Sequence, residues 1–244
     1  MITSTIVSQA TPIGNSAISV VRLSGPNSVF FSKKLSQNKN KFDHLKPKHL
    51  PVYINNTKKI DSAIYLPFLS PNSYTGEEVV EISCHGNPII VAAIIDELVK
   101  FGAVLAEPGE YTKRAFLNGK IDLLQAESVG LLIKSRSLDA AEQQSKNIGG
   151  SVSKEIFNLK SETVSFLSLI EYELDVSEEE YFSKRKKKDG IKELNRIKEE
   201  TKNIINSFET ANAYTQGIKV VFIGKPNVGK STLVNAILNN NKII

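Results

Sequence analysis

Near the end of the sequence, Gly224-Lys225-Pro226-Asn227-Val228-Gly229-Lys230-Ser231-Thr232 fits the pattern G-x-x-x-x-G-K-[ST]. Residues of these types at this spacing do one kind of chemistry: they hold phosphate. Gly224 and Gly229 let the backbone curl with no Cβ in the way, so successive N–H groups turn toward phosphate oxygens. Lys230 is placed to reach the β- and γ-phosphates, and the Ser231 hydroxyl to ligate Mg²⁺. The loop needs an anchor on each side. The apolar run Val220 to Ile223 predicts a buried strand before it, and Ser231 to Leu238 predicts a helix whose positive N-terminal end faces the same anion.

Hydrolysis needs more than this loop: a Mg²⁺-side Asp on a second strand, a segment that orients water and a base-reading loop. Residues 232–244 contain none of these; Asn241-Lys242 begins like N-K-x-D, but Ile244 stands where the Asp belongs. The sequence therefore reads as the opening of a truncated nucleotide domain, with no catalytic residue of its own.

Other residues that could do chemistry lie earlier. In Ala17 to Leu23, a strand by its β-branched run, Arg22 shares a face with Ile18 and Val20. An arginine there either pairs or reaches solvent from the strand end. Glu81 sits in the strand Val79 to His85 between Val80 and Ile82, and needs a donor if it is buried. Cys84-His85 has no zinc spacing and reads as a core thiol beside a histidine at a strand end. His44 and His49 fall in a polar, lysine-rich stretch, residues 36–60, which reads as a loop or weak hairpin with solvated histidines. The basic run Lys184 to Lys188 could touch RNA phosphate, but reads first as a solvated loop between helices.

Composition sets the frame for these residues. The 244 residues are 41% apolar and 23% charged, ordinary for a globular chain with one large or two modest cores. The longest apolar run, Ile89 to Ile95, falls far short of the ~20 residues that span a bilayer. No secretory signal follows Met1, and the single cysteine, Cys84, rules out an internal disulfide and suits a reducing cytoplasm. A net charge of +5 permits nucleic-acid contact without demanding it.

Residues 1–118 read as an α+β domain. Asp61 to Leu66 is a strand broken by Pro67, and residues 72–78 form an irregular polar loop. Asn87-Pro88 caps a helix over Ile89 to Phe101, apolar on most sides and so expected to be buried. Ala103 to Ala106 is a strand, and Pro108 to Lys120 a turn, a short helix and a second turn. Residues 119–217 read as the first part of an α-helical bundle, with Gly149-Gly150 between its first two helices. Ile156, Leu159, Thr163, Phe166, Ile170 and Leu174 mark its second helix, and Ile191, Leu194, Ile197, Ile204, Ile205, Phe208 and Ala211 its third. Residues 218–244 then read as the first β–phosphate loop–α unit of a Ras-like α/β G domain.

Four blocks carry a resemblance: Ala10-Thr11-Pro12; Arg22-Leu23-Ser24-Gly25-Pro26; Pro71 to Glu77 continuing through Glu81 to His85-Gly86; and Pro108 to Lys120, extended by Asp122 to Glu127. With the phosphate loop they make the chain similar to the bacterial tRNA modification GTPases of the MnmE/TrmE family. The resemblance implies a folate-binding, dimerising N-terminal domain, a helical domain, and a G domain inserted into the latter. It also implies a potassium- and magnesium-dependent GTPase that binds tRNA, acting as a homodimer with a flavin-dependent MnmG/GidA-type partner. Together they add a carboxymethylaminomethyl-type group at C5 of the wobble uridine, with 5-formyl-tetrahydrofolate or a related folate as one-carbon donor. Arg22, Glu81 and Lys120 match the family's folate pocket, although side chains of one β-face could equally satisfy one another. Asn227, Val228, Gly229, Lys230, Ser231 and Thr232 match its GTP loop, with Asn227 also the K⁺ ligand and Ser231 the Mg²⁺ ligand. Two alternatives remain: a non-enzymatic folate-binding dimerisation module, and an Era-like ribosome-assembly GTPase with an unrelated N-terminal domain.

Overall fold

The computed structural model describes residues 4–176, 184–216, 221–226 and 228–238. The chain divides into two compact units, Met1–Gly130 with Lys146–Ser153, and Leu131–Ser145 with Lys154–Ile244.

The first unit is built on a mixed sheet. Its strands are β1 (Ile6–Gln9), β2 (Ser16–Ser24), β3 (Lys48–Ile54), β4 (Lys58–Phe68), β5 (Val79–Gly86) and β6 (Val104–Leu105), in the order β3-β4-β5-β2-β1-β6. All neighbours are antiparallel except β1 and β6. Val21 and Leu23 of β2 and Val80 and Ile82 of β5 are fully buried, while Arg22 and Glu81 alternate to the other face. The helices α1 (Ser28–Ser36) and α2 (Pro88–Lys100) cover the buried face. Each fully buried Leu, Ile or Val there contributes about 1.5–3 kcal/mol.

Asn87 caps α2 by accepting from the Ile89 N–H at 2.9 Å, with Pro88 at the first helical position. The stripe Val91, Ile94, Leu98 is buried together with Glu97, and Ile89 is exposed, so the helix is half-covered rather than enclosed. Two elements had no signal in the sequence pattern, β1 and α1. The polar stretch at 36–60 is in part a true hairpin, β3–β4, and Pro67 continues β4 opposite Val80 rather than breaking it. Gly25 is required where β2 turns into α1: at φ 132° a Cβ would lie 2.7 Å from the Ser4 carbonyl oxygen.

Residues 110–148 carry α3 (Glu110–Leu117), α4 (Leu123–Lys134) and α5 (Leu138–Ile148). The helix expected before Gly149 is thus two, parted at residues 135–137. In the second unit, α6 (Ser151–Val176) and α7 (Lys184–Gln216) are joined by Arg196, which bonds Glu162 at 3.0 Å and its own-helix neighbours Glu193 and Glu200. Lys184 to Lys188 lie in the first turns of α7, not in a loop. Phe157, Val164, Leu167, Leu169 and Tyr172 of α6 are exposed.

The strand expected before the phosphate loop is not formed over 221–225. Val221 is 79% and Ile223 92% exposed. A strand exists only by pairing, and the described residues of this unit supply no other strand. The helix after the loop is present as α8 (Lys230–Leu238).

Candidate functional site

Arg22 and Glu81 are directly opposite in the β2–β5 register. Arg22 Nε and Nη2 both donate to Glu81 Oε1, at 2.9 and 2.7 Å. Glu81 Oε2 has no partner among the described residues. The pair lies in a cleft of about 60 Å³ lined also by Phe68, Tyr74, Thr75 and Val79. Arg22 is held from behind by Tyr111 of α3, whose hydroxyl donates to the Arg22 carbonyl at 2.7 Å and whose ring lies 5.5 Å from the guanidinium. Burial raises the Tyr111 hydroxyl above its usual pKa, so it stays a neutral donor. Sequence pattern gave no role to Tyr111.

Lys120 does not line this cleft. Its Nζ donates to the Pro71 carbonyl at 3.1 Å and its stem lies against Gly76. Two of the three expected residues are therefore brought together, and the third grips the loop that forms one wall of their cleft.

That loop, residues 69–78, is clamped at every turn. Tyr74 Oη meets Thr112 Oγ1 at 3.0 Å, and Asn118 Nδ2 donates to the Thr75 carbonyl at 2.7 Å. Ser73 Oγ donates to the Glu77 carbonyl at 2.6 Å, and the Leu69 N–H to His44 Nδ1 at 3.0 Å. Beneath it lies a buried ion cluster. Arg114, 2% exposed, bonds Glu77 at 3.3 Å, Glu110 at 2.9 Å and the Ser4 carbonyl at 2.8 Å. Ser24 Oγ donates to Glu77 Oε2 at 2.6 Å. The Glu110–Arg114 spacing of four on a helix was the only sequence signal for this cluster.

In β4, Asp61 is nearly buried and accepts from the His85 N–H at 3.0 Å and its ring Nδ1 at 2.6 Å. Cys84 is buried, and burial pushes its thiol up to about 11, leaving it inert.

In the phosphate loop, Gly229 has φ 89°, and the Leu233 N–H closes the first turn of α8 on the Gly229 carbonyl. Lys230 Nζ donates to the carbonyls of Gly224 and Lys225 at 2.9 and 2.7 Å. The loop is thus curled over its own lysine, with Ser231 and Thr232 opening the helix. Asn227, the expected K⁺ ligand, lies outside the described residues.

Comparison with known proteins settles the family. A model described as GTP-binding protein TrmE N-terminus matches residues 5–120, and one described as MnmE helical domain matches residues 123–242. The chain belongs to the MnmE/TrmE family. Relatives named tRNA modification GTPase MnmE are 43% identical in Flavobacterium psychrophilum, 41% in Cytophaga hutchinsonii and 38% in Thermotoga maritima. The matches cover 98–99% of this chain but 52–53% of those proteins, so the chain spans about half the length of the curated relatives it matches. The match over 5–120 removes the ground for an unrelated N-terminal domain. In this MnmE/TrmE chain the blocks Pro71–Glu77 and Pro108–Lys120 converge physically, because α3 and the turn after it hold the 69–78 loop.

Proposed function

We propose that this chain is the GTP-binding and folate-binding part of a tRNA wobble-uridine modification enzyme. Residues 1–118 bind folate and pair two copies as a homodimer, residues 119–217 begin the helical domain, and residues 218–244 begin the G domain. A flavin-dependent MnmG/GidA-type protein is the partner, and the product is a carboxymethylaminomethyl-type group at C5 of the wobble uridine. The observation that carries this reading is the pair of family matches in order along the whole chain, with a curled G-x-x-x-x-G-K-S loop at the end.

The loop's chemistry fits a nucleotide. Backbone N–H groups, the positive end of α8 and the Lys230 ammonium all favour an anion, and Lys230 exchanges two carbonyl contacts for phosphate oxygens. Ser231 would hold Mg²⁺ and Asn227 K⁺; bound there, the ions offset phosphate charge.

The folate reading rests on the polar groups, not the volume. Glu81 keeps one carboxylate oxygen free to accept from a ring N–H, and Arg22 lies beside it. A cleft of about 60 Å³ is well below the ~300 Å³ of an ordinary ligand pocket. It can grip one edge of a pterin, and a second copy of the domain would supply the remaining wall.

Titration of the protein with 5-formyl-tetrahydrofolate tests this directly. We expect measurable heat that vanishes in Glu81→Ala; no heat with the wild-type protein would remove the folate reading. A fluorescent GTP analogue should bind in the presence of Mg²⁺ and be lost in Lys230→Ala. Residues 1–244 lack the water-orienting and base-reading segments, so they should show no turnover at high KCl; a K⁺-dependent rate would contradict that assignment.

A further inference from the structure

Besides the basic run at 184–188, the protein's largest local excess of positive charge lies early in the chain. Residues 33–59 contain Lys33, Lys34, Lys39, Lys41, Lys46, Lys48, Lys58 and Lys59 against a single acid, Asp43. That is a net of +7 in a chain whose total is +5, so the remainder is slightly acidic.

The fold gathers a large share of this charge around the β3–β4 turn. Gln37, just after α1, donates from Nε2 to the Asn56 carbonyl at 2.6 Å. From the other side, Lys100 at the end of α2 donates to Asn55 Oδ1 at 3.2 Å, and the Asn55 N–H bonds Glu97 Oε1 at 3.0 Å. The ends of two helices and one hairpin turn thus present Lys33, Lys34, Lys58, Lys59 and Lys100 together, with the exposed amides Gln37, Asn55 and Asn56 among them. Asp96 and Glu97 of α2 are the nearby acids, and Glu97 is consumed by Lys100 and Asn55.

Structural duties account for part of this set. Lys33, Lys34 and Lys100 stand in the last turns of their helices, where a cation complements the helix dipole. Lys34 also lies 4.1 Å from the centre of the Phe101 ring, and Lys46 is 3.9 Å from Asp43. Lys48 lies on the edge strand, where a lysine discourages strand addition. Lys41 lies toward β3, its carbonyl accepting from Lys48, whereas Lys58 and Lys59 at the turn and Lys39, two residues after the turn-bonded Gln37, have none of these duties. They are exposed and make no ion pair among the described residues.

We propose that the β3–β4 turn with the ends of α1 and α2 is a docking surface for an RNA phosphate backbone, with Lys39, Lys58 and Lys59 as its contacts. The assignment of RNA as the polyanion rests on the tRNA-modification reading above. Lysines contact phosphate as point charges and read no base, so the surface positions the RNA without specifying it.

The test measures binding of two labelled tRNA transcripts of different sequence to the 244-residue protein over a series of KCl concentrations. For K39Q/K58Q/K59Q we expect the salt slope to fall by about 2–3 and affinity at 0.1 M KCl to drop by about tenfold or more, equally for both transcripts. The charge-retaining K39R/K58R/K59R should keep the wild-type slope, which separates lost charge from lost folding. Equal binding by the glutamine variant and the wild type overturns the surface and leaves the tRNA reading standing. No tRNA binding by the wild type, even at low salt, overturns both. Loss of binding to phosphatidylserine vesicles with tRNA binding retained would assign the patch to a membrane and also overturn the proposal.

Discussion

Two carboxylates show how single groups set the protein's response to acid. Burial pushes the Asp61 carboxyl up, but hydrogen bonds from the His85 N–H, the His85 ring and the Ser62 N–H outweigh it and hold the group below 3.8. Glu110 behaves alike: burial raises it, and the Glu107 N–H and Arg114 bring it below 4.5. A depressed folded-state value means stability that is present above the unfolded value and is lost as pH falls through the folded one. Acid unfolding should therefore steepen below about pH 4.5 and persist to lower pH than unperturbed carboxyls would give. Asp61→Ala should cost about 1.5–3 kcal/mol at pH 7, with the difference from wild type shrinking toward pH 3 in urea titrations. An unchanged gap across that range would assign the loss to packing instead. The pairing of Arg22 with Glu81 was half legible in advance: each is a charged group in an apolar strand that needs a partner or solvent, but only the register makes them partners. His85 with Asp61 was not legible, because that contact spans strands whose pairing no local pattern reveals.

At the scale of elements, the 69–78 loop and α3 stand or fall together. The sequence shows the loop only as polar and irregular, since its order comes from side chains on a helix more than thirty residues away. Arg114 is the keystone, with two carboxylates and a backbone carbonyl on one guanidinium. Arg114→Met removes the cation and leaves Glu77 and Glu110 facing each other in a largely dry site. The expected loss is about 3–5 kcal/mol, measured by chemical denaturation. A loss under ~1 kcal/mol would show that water reaches the cluster and takes the arginine's place. The helices were easier to read, because a stripe such as Val91, Ile94, Leu98 repeats within one element. Helix α1 escaped notice because its buried face is largely serine: Ser28, Ser32 and Ser36 alternate with Phe31 and Leu35.

For the whole molecule, the order of an α+β unit, a helical unit and a phosphate loop was open to a sequence reader, since each segment carries its own period. What period alone could not deliver was whether the run before the loop becomes a strand, because that depends on neighbours. Self-association belongs to this scale as well. If the N-terminal domain pairs two copies, sedimentation should give a dimer at tens of micromolar, and a monomer throughout would count against it. The exposed run at Val221 and Ile223 bears on how that experiment is read. Unpaired backbone carrying greasy side chains is a ready guest for any free sheet margin or chaperone groove. Two copies could then adhere through this run with no help from the N-terminal domain. Replacing Val221 and Ile223 with serine would dissolve such adhesion and leave a dimer built by the front domain intact.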